Sequence, residues 1–552
     1  MESKPLNLFL FLTFLFQLHT QSSASVLPKQ ARPTKSGYLP INATTGSAIF
    51  YAFYEAQYPT NNTCLSQTPI VIWLQGGPGC SSMIGNLYEL GPWRVTPSVN
   101  QQLELEPNPG SWNRIFGLLF LDSPIGSGFS IASTPEEIPT DQEAVARHLF
   151  IAIRKFVGLD PLFKSRPIYI TGESYAGKYV PSIGYYILKR NPLLPLSERV
   201  NLHGLALGNG LTDPETQVGT YASHNYYLGL INEKQKTQLE KLQSEAIRLT
   251  QDGNWSDATD ARLNVLGFLQ NITGLATLYD FRRHRPYDSD WVVEFLKSPE
   301  IKKAFGVNES MVFEECNDVV GAAMHSDVMK SVRFKVEYLV KNTKVLVYQG
   351  QCDLRDGVFS VESWMKKMKW EGLEKFLDAE RDVWKVNGEL AGYVQKSENL
   401  SHVVILGAGH YVPTDQPVNS QAMIEDWILD RESSDHIFGD CSTAKIVSAH
   451  LSSWVNWWPT DIYSFDSNSA NRLERNIRRT IGAAFFWEMW NNRNRKAFNG
   501  TIKSEKVISE DIKYTAYDWV RCRTKFGKGI SWENWCCNPF SVIPSCTSLA
   551  PR

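Results

Sequence analysis

The central part of the chain reads Pro167-Ile-Tyr-Ile-Thr-Gly-Glu-Ser-Tyr-Ala-Gly-Lys-Tyr-Val-Pro-Ser-Ile-Gly184. Its first five residues are typical of a buried β-strand, and the residues that follow Tyr175 suit a helix. Between the two lies a Gly-x-Ser-x-Gly-like motif centred on Ser174. Such a motif is frequent by chance and is usually only a turn, but its position between a strand and a helix indicates a nucleophile elbow. The segment therefore predicts an α/β protein with a reactive serine.

The elbow requires small side chains around the serine, because the chain reverses there in a strained turn. Gly172, Ala176 and Gly177 provide them. In this arrangement the Oγ of Ser174 is exposed, and the backbone N–H of Tyr175 points to the place where an oxyanion would form. The sequence thus predicts both a nucleophile and one oxyanion donor.

Other apolar runs that end in Gly, Pro or Ser turns have the appearance of further parallel strands, with amphipathic stretches such as residues 141–157 between them. Alternating strands and helices predict a mostly parallel central sheet flanked by helices, with ligands at the carboxyl ends of the strands. A more polar and largely helical region, residues 215–331, interrupts the pattern and is predicted to be a cap inserted over the sheet. The predicted strands besides 167–171 are 70–74, 117–121, 345–348 and 403–406.

A serine hydroxyl needs a histidine to take its proton and an acid to orient that histidine, in the chain order Ser, Asp or Glu, His. His410 follows a strand and stands in Gly407-Ala-Gly-His-Tyr-Val-Pro, whereas His402 lies before that strand, so His410 is the better base. Asp353 follows the strand at 345–348. Asp356 is its competitor, and a turn-forming Asp without a catalytic role is the alternative interpretation of Asp353.

A second glycine-rich loop, Trp73-Leu-Gln-Gly-Gly-Pro-Gly-Cys-Ser-Ser82, follows another predicted strand. Gly77 in this loop is predicted to supply the second oxyanion N–H, together with Tyr175. A phosphate-binding loop is the competing interpretation. The segment lacks the Lys-Ser/Thr ending of a P-loop and the spacing of a dinucleotide fingerprint, which argues against nucleotide binding.

Taken together, these motifs closely resemble the serine carboxypeptidase family of α/β-hydrolases, particularly its plant serine carboxypeptidase-like members. The similarity extends from about Ser36 to about Arg431 and includes Glu89-Leu-Gly-Pro and Pro107-Asn-Pro-Gly-Ser-Trp-Asn. It implies Ser174, Asp353 and His410 as the catalytic triad, and Gly77 and Tyr175 as oxyanion donors. It also implies a disulfide between Cys80 and Cys316, with Cys64 and Cys352 free or bonded to each other.

The resemblance further implies that Gln75, Glu89 and Glu173 recognise the free carboxylate at the end of a peptide. Two neighbouring carboxyls cannot both ionise cheaply, so one is expected to have a raised pKa and to donate a hydrogen bond to the substrate. This predicts a peptidase that binds best at acidic pH. A solvated helix residue is the alternative for Glu89. The family usually has Asn where this chain has Gln75. The side chain of Gln is longer than that of Asn, which affects the size or position of the terminal residue that is accepted.

Two other functions are compatible with the same motifs. Some members of the family transfer acyl groups from glucose esters and resemble one another in having Asp in place of the Glu before the nucleophile, so Glu173 favours the peptidase. An inactive secreted scaffold or binding protein is the third possibility. No cofactor or metal is implied, and the expected partners are the C-termini of peptides and proteins.

The amino terminus predicts a route through the secretory pathway to the cell exterior or the vacuole. Residues 1–24 contain an apolar run of about a dozen residues followed by small residues, which suits a cleaved signal peptide better than a membrane anchor. No later stretch is long and apolar enough to span a bilayer. Sequons for N-glycosylation occur at Asn42, Asn61, Asn254, Asn271, Asn308, Asn399 and Asn499.

The formal net charge of -2 averages two different parts of the chain. Residues 441–552 contain 16 basic and 9 acidic residues and 8 of the 17 Trp, against 40 basic and 49 acidic residues before them. Residues 477–500 look like the carboxyl-terminal part of plant retroelement reverse-transcriptase-like proteins. We expect one hydrolase domain over residues 30–440 and a basic appendage without function or nucleic-acid contact, in which Cys522, Cys536, Cys537 and Cys546 do not have the spacing of a zinc site.

Overall fold

The computed structural model divides into two compact units, Met1–Ile428 and Leu429–Arg552. The predicted leader, Asn61, Cys64 and Cys546 lie outside the described part of the chain, as does the side chain of Asn499. The structure describes residues 27–59, 65–97, 103–430, 442–455, 472–499, 503–523, 531–537 and 539–540.

The first unit is organised around a ten-stranded sheet with the order β1-β2-β6-β3-β7-β8-β9-β12-β11-β10. The six strands from β6 to β12 in this order run parallel, and the two pairs at the edges are antiparallel. β4 and β5 form a separate hairpin. The strands are β1 Lys35–Pro40, β2 Ala48–Tyr54, β3 Ile70–Leu74, β4 Trp93–Pro97, β5 Leu103–Pro107, β6 Gly117–Leu121, β7 Ile168–Glu173, β8 Leu202–Gly208, β9 Lys344–Gly350, β10 Arg381–Val386, β11 Glu389–Ser397 and β12 Leu400–Ile405.

All five strands predicted from apolar runs are present as β3, β6, β7, β9 and β12. β8 and the antiparallel edge strands were not predicted. β10 and β11 are partly exposed and carry several polar residues, so they lack the continuous apolar character that marks a strand buried on both faces. The predicted α/β-hydrolase fold class is confirmed. Antiparallel strands extend the parallel part of the sheet at both edges.

Helices cover both faces of the sheet, as neighbouring residues of β8 show. A Cβ on Gly204 would meet Trp427, from the last helix of the unit. Leu205 contacts Gly184 of the helix that follows Ser174. Because successive strand residues point to opposite faces, these two contacts identify two helical layers.

The helices of the first unit include one on each side of the elbow strand and a long series between β8 and β9. In that series no strand interrupts the described residues 209–343, and this interval includes the predicted cap. The helices are Ser82–Ile84, Gly85–Leu90, Gln142–Val157, Ala176–Arg190, Pro214–Val218, Tyr221–Tyr227, Glu233–Gln251, Trp255–Thr273, Asp290–Lys297, Pro299–Phe305, Asp318–Met324, Arg333–Val340, Val358–Met365, Leu373–Leu377, Val412–Asp415 and Pro417–Ile428.

The second unit is helical in its described parts and has an apolar core of its own. Leu451, Ile481, Phe485, Ile512 and Trp535 are buried together there. Its helices are Ser442–Val455, Arg472–Asn499, Glu505–Arg523 and Trp532–Cys537.

Candidate active site

Ser174 occupies a strained turn at the carboxyl end of β7. Its backbone φ is +60°, in the left-handed region that L-residues rarely adopt. Two backbone hydrogen bonds hold it there: Ser174 N donates to Gly208 O over 3.0 Å, and Leu211 N donates to Ser174 O over 2.9 Å. This is the geometry of a nucleophile elbow, with the turn tied to the end of β8.

Three glycines allow the chain to pack tightly around this turn. A Cβ on Gly76 would lie 2.6 Å from Tyr175 N and 2.8 Å from the Ser174 Cβ. A Cβ on Gly172 would lie 2.5 Å from a backbone oxygen of β3, and one on Gly177 would lie 2.6 Å from the Gly210 Cα. Since these neighbours are mostly backbone, any larger side chain would force the elbow apart.

His410 and Asp353 form a buried pair beside the elbow. His410 Nδ1 lies 2.7 Å from Asp353 Oδ2, and neither side chain is exposed to solvent. Among the residues that the structure describes, the Nε2 of His410 has no hydrogen-bond partner. The pairing fixes the imidazole through one nitrogen and leaves the other available for proton transfer.

Asp353 is held in turn by groups that the sequence did not indicate. Asn209 Nδ2 donates to Asp353 Oδ2 over 2.7 Å, and the backbone N–H of Arg355 donates to Asp353 Oδ1 over 2.8 Å. Asn209 follows β8 and has a positive φ of 41°. Its Oδ1 accepts from Gly350 N, so it links the ends of β8 and β9. A Gly-Asn-Gly sequence directly after a strand was the available signal.

The competing residues considered for the triad have other partners. Asp356 accepts a hydrogen bond from Gln217 and lies 3.8 Å from the Arg262 guanidinium. His402 is buried within β12 and bonds Gln349 over 2.6 Å. The structure therefore brings Asp353, and not Asp356, next to His410.

A tyrosine lies flat against the imidazole. The rings of Tyr279 and His410 are stacked with centroids 4.2 Å apart and planes at 12°, and His410 N donates to Tyr279 O over 2.7 Å. Arg355 Nη1 donates to the Tyr279 hydroxyl over 2.9 Å. Tyr279 comes from the inserted region, so that region helps to fix the position of His410.

The two predicted oxyanion donors line the same cavity as Ser174. Within the described part of the chain, the backbone N–H groups of Gly77 and Tyr175 donate to no other protein group. Gly77 has a positive φ of 111°. Two unengaged N–H groups next to a nucleophile are suited to bind developing negative charge.

The three residues predicted to bind a terminal carboxylate are buried together. The Gln75 amide donates to Glu173 Oε1 over 2.9 Å and to Glu89 Oε1 over 3.1 Å, and its oxygen accepts from Trp73 Nε1 over 2.8 Å. Both amide hydrogens of Gln75 are thus engaged in holding the two carboxyls. The groups left to face a ligand are the carboxyls themselves.

Burial strongly perturbs the acidity of this pair. Loss of solvation raises the pKa of Glu89 to about 7, against the hydrogen bond from Gln75, which lowers it. Burial, and then the charge of Glu89, raise the pKa of Glu173 well above its usual range. Both shifts favour the protonated forms, so the pair retains a proton at neutral pH.

Several motif residues support Glu89 from behind. Asn108 Nδ2 donates to the carbonyl of Glu89 over 2.9 Å, and Arg94 donates to the same carbonyl. Gly85 leaves room for the Trp73–Gln75 contact, since a Cβ there would lie 2.2 Å from Trp73 Nε1. Glu89 is fully buried, so it is not a solvated helix residue.

Another buried ion pair supports the helix that begins after Tyr175. Lys178 Nζ lies 3.2 Å from Asp327 Oδ2, which also accepts from the Tyr175 hydroxyl over 2.5 Å and from Gln142 over 2.7 Å. Burial lowers the pKa of Lys178 to about 8. No sequence pattern indicates this network, because its members are far apart along the chain.

The expected disulfide between Cys80 and Cys316 is present. It joins the loop that contains Gly77 to the inserted region. Cys352 is a buried free thiol. Within the described residues, no group of acidic, His or Cys side chains is suited to a metal ion, and no helix is long and apolar enough to cross a membrane.

The sheet order, the elbow at Ser174 and the helical region above it define an α/β-hydrolase. Residues 27–430 match the family model described as serine carboxypeptidase. The chain belongs to the serine carboxypeptidase family.

Individual relatives agree with this assignment. Serine carboxypeptidase-like 50 of Arabidopsis thaliana is 55% identical over 453 residues, covering 82% of this chain and 99% of that protein. The probable serine carboxypeptidase CPVL of Homo sapiens is 35% identical over 405 residues, covering 71% of this chain and 82% of that protein. The solved structure of Kex1(delta)p, a prohormone-processing carboxypeptidase from Saccharomyces cerevisiae, has a TM-score of 0.64 at 26% identity and covers 72% of this chain and 91% of that structure.

Proposed function

We propose that the protein is a serine-type carboxypeptidase that releases C-terminal residues from peptides and proteins at acidic pH, through an acyl-enzyme on Ser174. The observation that carries this proposal is that the carboxylate receptor and the reactive serine lie side by side at the end of β7. Glu173, in the buried carboxyl pair, directly precedes Ser174. A receptor for a terminal carboxylate next to the nucleophile places the last peptide bond, and no other, at the serine.

In the proposed reaction Ser174 Oγ attacks the carbonyl carbon of the last peptide bond, and His410 Nε2 takes the hydroxyl proton. The oxyanion accepts hydrogen bonds from Gly77 N and Tyr175 N. His410 then protonates the leaving amine, which departs as a free amino acid. Water attacks the ester with His410 again as base, and Ser174 regains its proton. Asp353 stabilises the imidazolium in both halves of the reaction.

The substrate carboxylate would be received by Glu89 and Glu173, with Gln75 as the residue that holds them in place. A protonated carboxyl donates to the carboxylate, whereas an ionised one repels it. The proposed preference for acidic pH follows from this requirement. Glu173 also supports the peptidase, because family members that transfer acyl groups from glucose esters resemble one another in having Asp at this position.

The test is hydrolysis of a benzyloxycarbonyl dipeptide at pH 5 and pH 7, with its C-terminal amide as the matched control. We expect release of the free amino acid, slower turnover of the amide, and no activity in Ser174→Ala. Consumption of an acyl-glucose without peptide hydrolysis would identify an acyltransferase instead. Failure of a serine-directed phosphonate to label Ser174 would indicate an inactive scaffold.

We further propose that residues 1–24 direct the chain into the secretory pathway, toward the cell exterior or the vacuole. The sequons Asn42, Asn254, Asn271 and Asn308 are exposed, which suits glycosylation. Asn399 is half-buried and its amide donates to Val340 O over 3.0 Å, so it is the least accessible of these described sequons. Peptide mapping after deglycosylation would show which are modified.

The appendage, residues 441–552, is proposed to be a passenger without a part in catalysis, derived from a retroelement-like segment. Its support is the sequence resemblance over residues 477–500 and the division of the chain into two compact units near residue 428. Expression of residues 1–440 alone is the test. Peptidase activity equal to that of the full chain is expected, and loss of activity would contradict the proposal.

A further inference from the structure

A short segment of the inserted region, residues 278–282, lies between the two loops that contain the acid and the base of the triad. It is part of the connection between the helices Trp255–Thr273 and Asp290–Lys297. This segment is called the strap below, because it is bonded to the acid loop on one side and to the base loop on the other.

The strap is hydrogen-bonded to the acid loop on either side of Asp353. Leu354 N donates to Leu278 O over 3.0 Å, and Phe281 N donates to Cys352 O over 3.2 Å. Both bonds use backbone atoms, so they fix the course of the strap along this loop. A movement of the strap would therefore move the backbone around Asp353.

The strap is also bonded to the base loop. His410 N donates to Tyr279 O over 2.7 Å, and Arg282 Nη2 donates to Gly407 O over 3.1 Å. The approach is close, since a Cβ on Gly409 would lie 2.4 Å from Tyr279 O. The inserted region is thus packed against the backbone of both triad loops.

Tyr279 is the strap residue whose side chain meets the base. A single hydrogen bond, from Nδ1 to Asp353, holds the imidazole of His410, and its Nε2 has no partner within the described residues. Such a bond resists tilting of the ring only weakly. The Tyr279 ring covers one face of the imidazole, with centroids 4.2 Å apart and planes at 12°, and the Tyr411 ring stands edge-on at 5.6 Å and 80°. The stacked ring therefore restrains the plane in which Nε2 faces Ser174.

Arg355 anchors the far end of the Tyr279 ring. Its Nη1 donates to the Tyr279 hydroxyl over 2.9 Å, and its backbone N–H donates to Asp353 Oδ1 over 2.8 Å. A carboxylate, that of Asp356, lies 3.9 Å from Arg355 Nε and offsets the charge of the guanidinium. The tyrosine that stacks on the base is thus connected to the acid through one residue.

The stacked ring also suits the charge that the base acquires during the reaction. The face of an aromatic ring attracts a cation, and the attraction is stronger where water is excluded. His410 is not exposed to solvent, and it becomes an imidazolium when it takes the proton of Ser174. An interaction that is stronger in this state than in the resting state raises kcat and leaves KM unchanged.

We propose that Tyr279 is a positioning residue of the triad, which holds the imidazole of His410 in its plane and stabilises the imidazolium. The inference rests on the proposed function, in which His410 is the general base. It makes the inserted region a part of the catalytic apparatus, because the strap supplies the surface on which the base rests.

Two other roles for Tyr279 make different predictions. A wall of the substrate site would act on KM and would depend on the terminal residue of the peptide. A residue that only fills space would act on the stability of the fold. A positioning residue acts on kcat, equally for all peptides, and its role is retained by Phe, which keeps the ring.

The test measures kcat and KM of Tyr279→Leu and Tyr279→Phe with benzyloxycarbonyl-Phe-Ala and benzyloxycarbonyl-Phe-Phe at pH 5.5. Tyr279→Leu should lower kcat about tenfold on both peptides with KM within about twofold, and Tyr279→Phe should keep kcat within about threefold of wild type. Tyr227→Leu is the matched control, because Tyr227 is an exposed tyrosine of the same inserted region, and it should change neither constant. Urea unfolding shows whether each variant is folded, and Tyr279→Met replaces Tyr279→Leu if the latter is not.

The rate at which a fluorophosphonate labels Ser174 is measured on the same proteins. This reaction needs the base but no peptide, so the Leu variant should be labelled about tenfold more slowly than wild type. A rise in KM at unchanged kcat, a loss confined to one peptide, or an equal loss in the Phe and Leu variants would each overturn the role of Tyr279. Wild-type protein that is labelled but hydrolyses neither peptide would overturn the peptidase, and the labelling rates of the variants would still decide the role of Tyr279.

Discussion

Replacing both buried carboxyls, in the double variant Glu89→Gln/Glu173→Gln, should remove the dependence of peptide binding on pH above neutrality. In the wild-type protein Gln75 donates to both carboxyls, and burial raises the pKa of Glu89 to about 7. As the pH rises through this value, the pair loses a proton and gains negative charge. The double variant keeps amide donors at both positions and has no proton to lose.

The size of the effect follows from the charge that a substrate carboxylate would meet. Two unit charges about 4 Å apart, at an effective dielectric of about 20, repel by about 4 kcal/mol, which corresponds to a limit of about a thousandfold in binding. Below that limit, KM should rise about tenfold per pH unit above pH 7, because one proton is lost. In the double variant KM should change by less than about threefold between pH 6 and pH 8. At pH 5.5 its kcat/KM should be about tenfold lower than wild type, because an amide is a weaker donor than a carboxyl.

The assay is a set of KM values for a blocked dipeptide from pH 5 to pH 8.5. The corresponding dipeptide amide is measured in parallel, since it has no terminal charge. Its KM in the wild-type protein should not rise above pH 7. A wild-type rise in KM that persists unchanged in the double variant would refute the assignment of the pH dependence to these carboxyls. So would an equal rise for the amide substrate.

Four further predictions test other parts of the site. Asn209→Ala removes a hydrogen bond to the Asp353 carboxylate and should lower kcat by about 10- to 100-fold with KM nearly unchanged, as steady-state kinetics will show. Gly76→Ala places a Cβ against the N–H of Tyr175 and should lower kcat/KM by at least about a hundredfold. Urea unfolding of the same variant should show that it is folded. Lys178→Met leaves a buried carboxylate unpaired and should reduce the free energy of unfolding by about 3–5 kcal/mol in urea titrations at pH 6, whereas a loss under about 1 kcal/mol would contradict the role of the pair. Glu89→Gln should gain about 3 kcal/mol of stability relative to wild type between pH 4 and pH 8, as urea titrations across this range will show. The pKa of Glu89 is about 7 in the folded protein against an ordinary value of 4.5, so wild-type stability falls as the pH rises between them. A constant difference between the two proteins would contradict this.

The sequence was sufficient for the five strands β3, β6, β7, β9 and β12 and for the triad candidates that follow three of them. Ser174 and Asp353 follow apolar runs that had to be buried strands, and parallel strands bring such ends to one edge of the sheet. The residues of the loop alone did not separate Asp353 from Asp356. The family resemblance favoured Asp353, and the structure places Asp353 beside His410 and Asp356 beside Gln217. Tyr279 could not be assigned at all. It reaches His410 by packing of the inserted region, which no local pattern in the sequence specifies.

The carboxyl pair shows why a feature that destabilises the fold can still be required by its function. Burial of Glu89 and Glu173, without a cation bonded to either carboxyl among the described residues, raises the pKa of both groups. The same burial makes the folded state less stable at neutral pH than apolar side chains in their place would make it. A salt bridge would relieve that cost, but an arginine at this place would keep the carboxyls ionised and remove the proton that a substrate carboxylate needs. Gln75 is the compromise that the geometry allows, since its amide orients Glu89 and Glu173 without a full charge. In the proposed reaction, the position of Glu173 directly before Ser174 makes that proton a condition for cleavage of the last peptide bond.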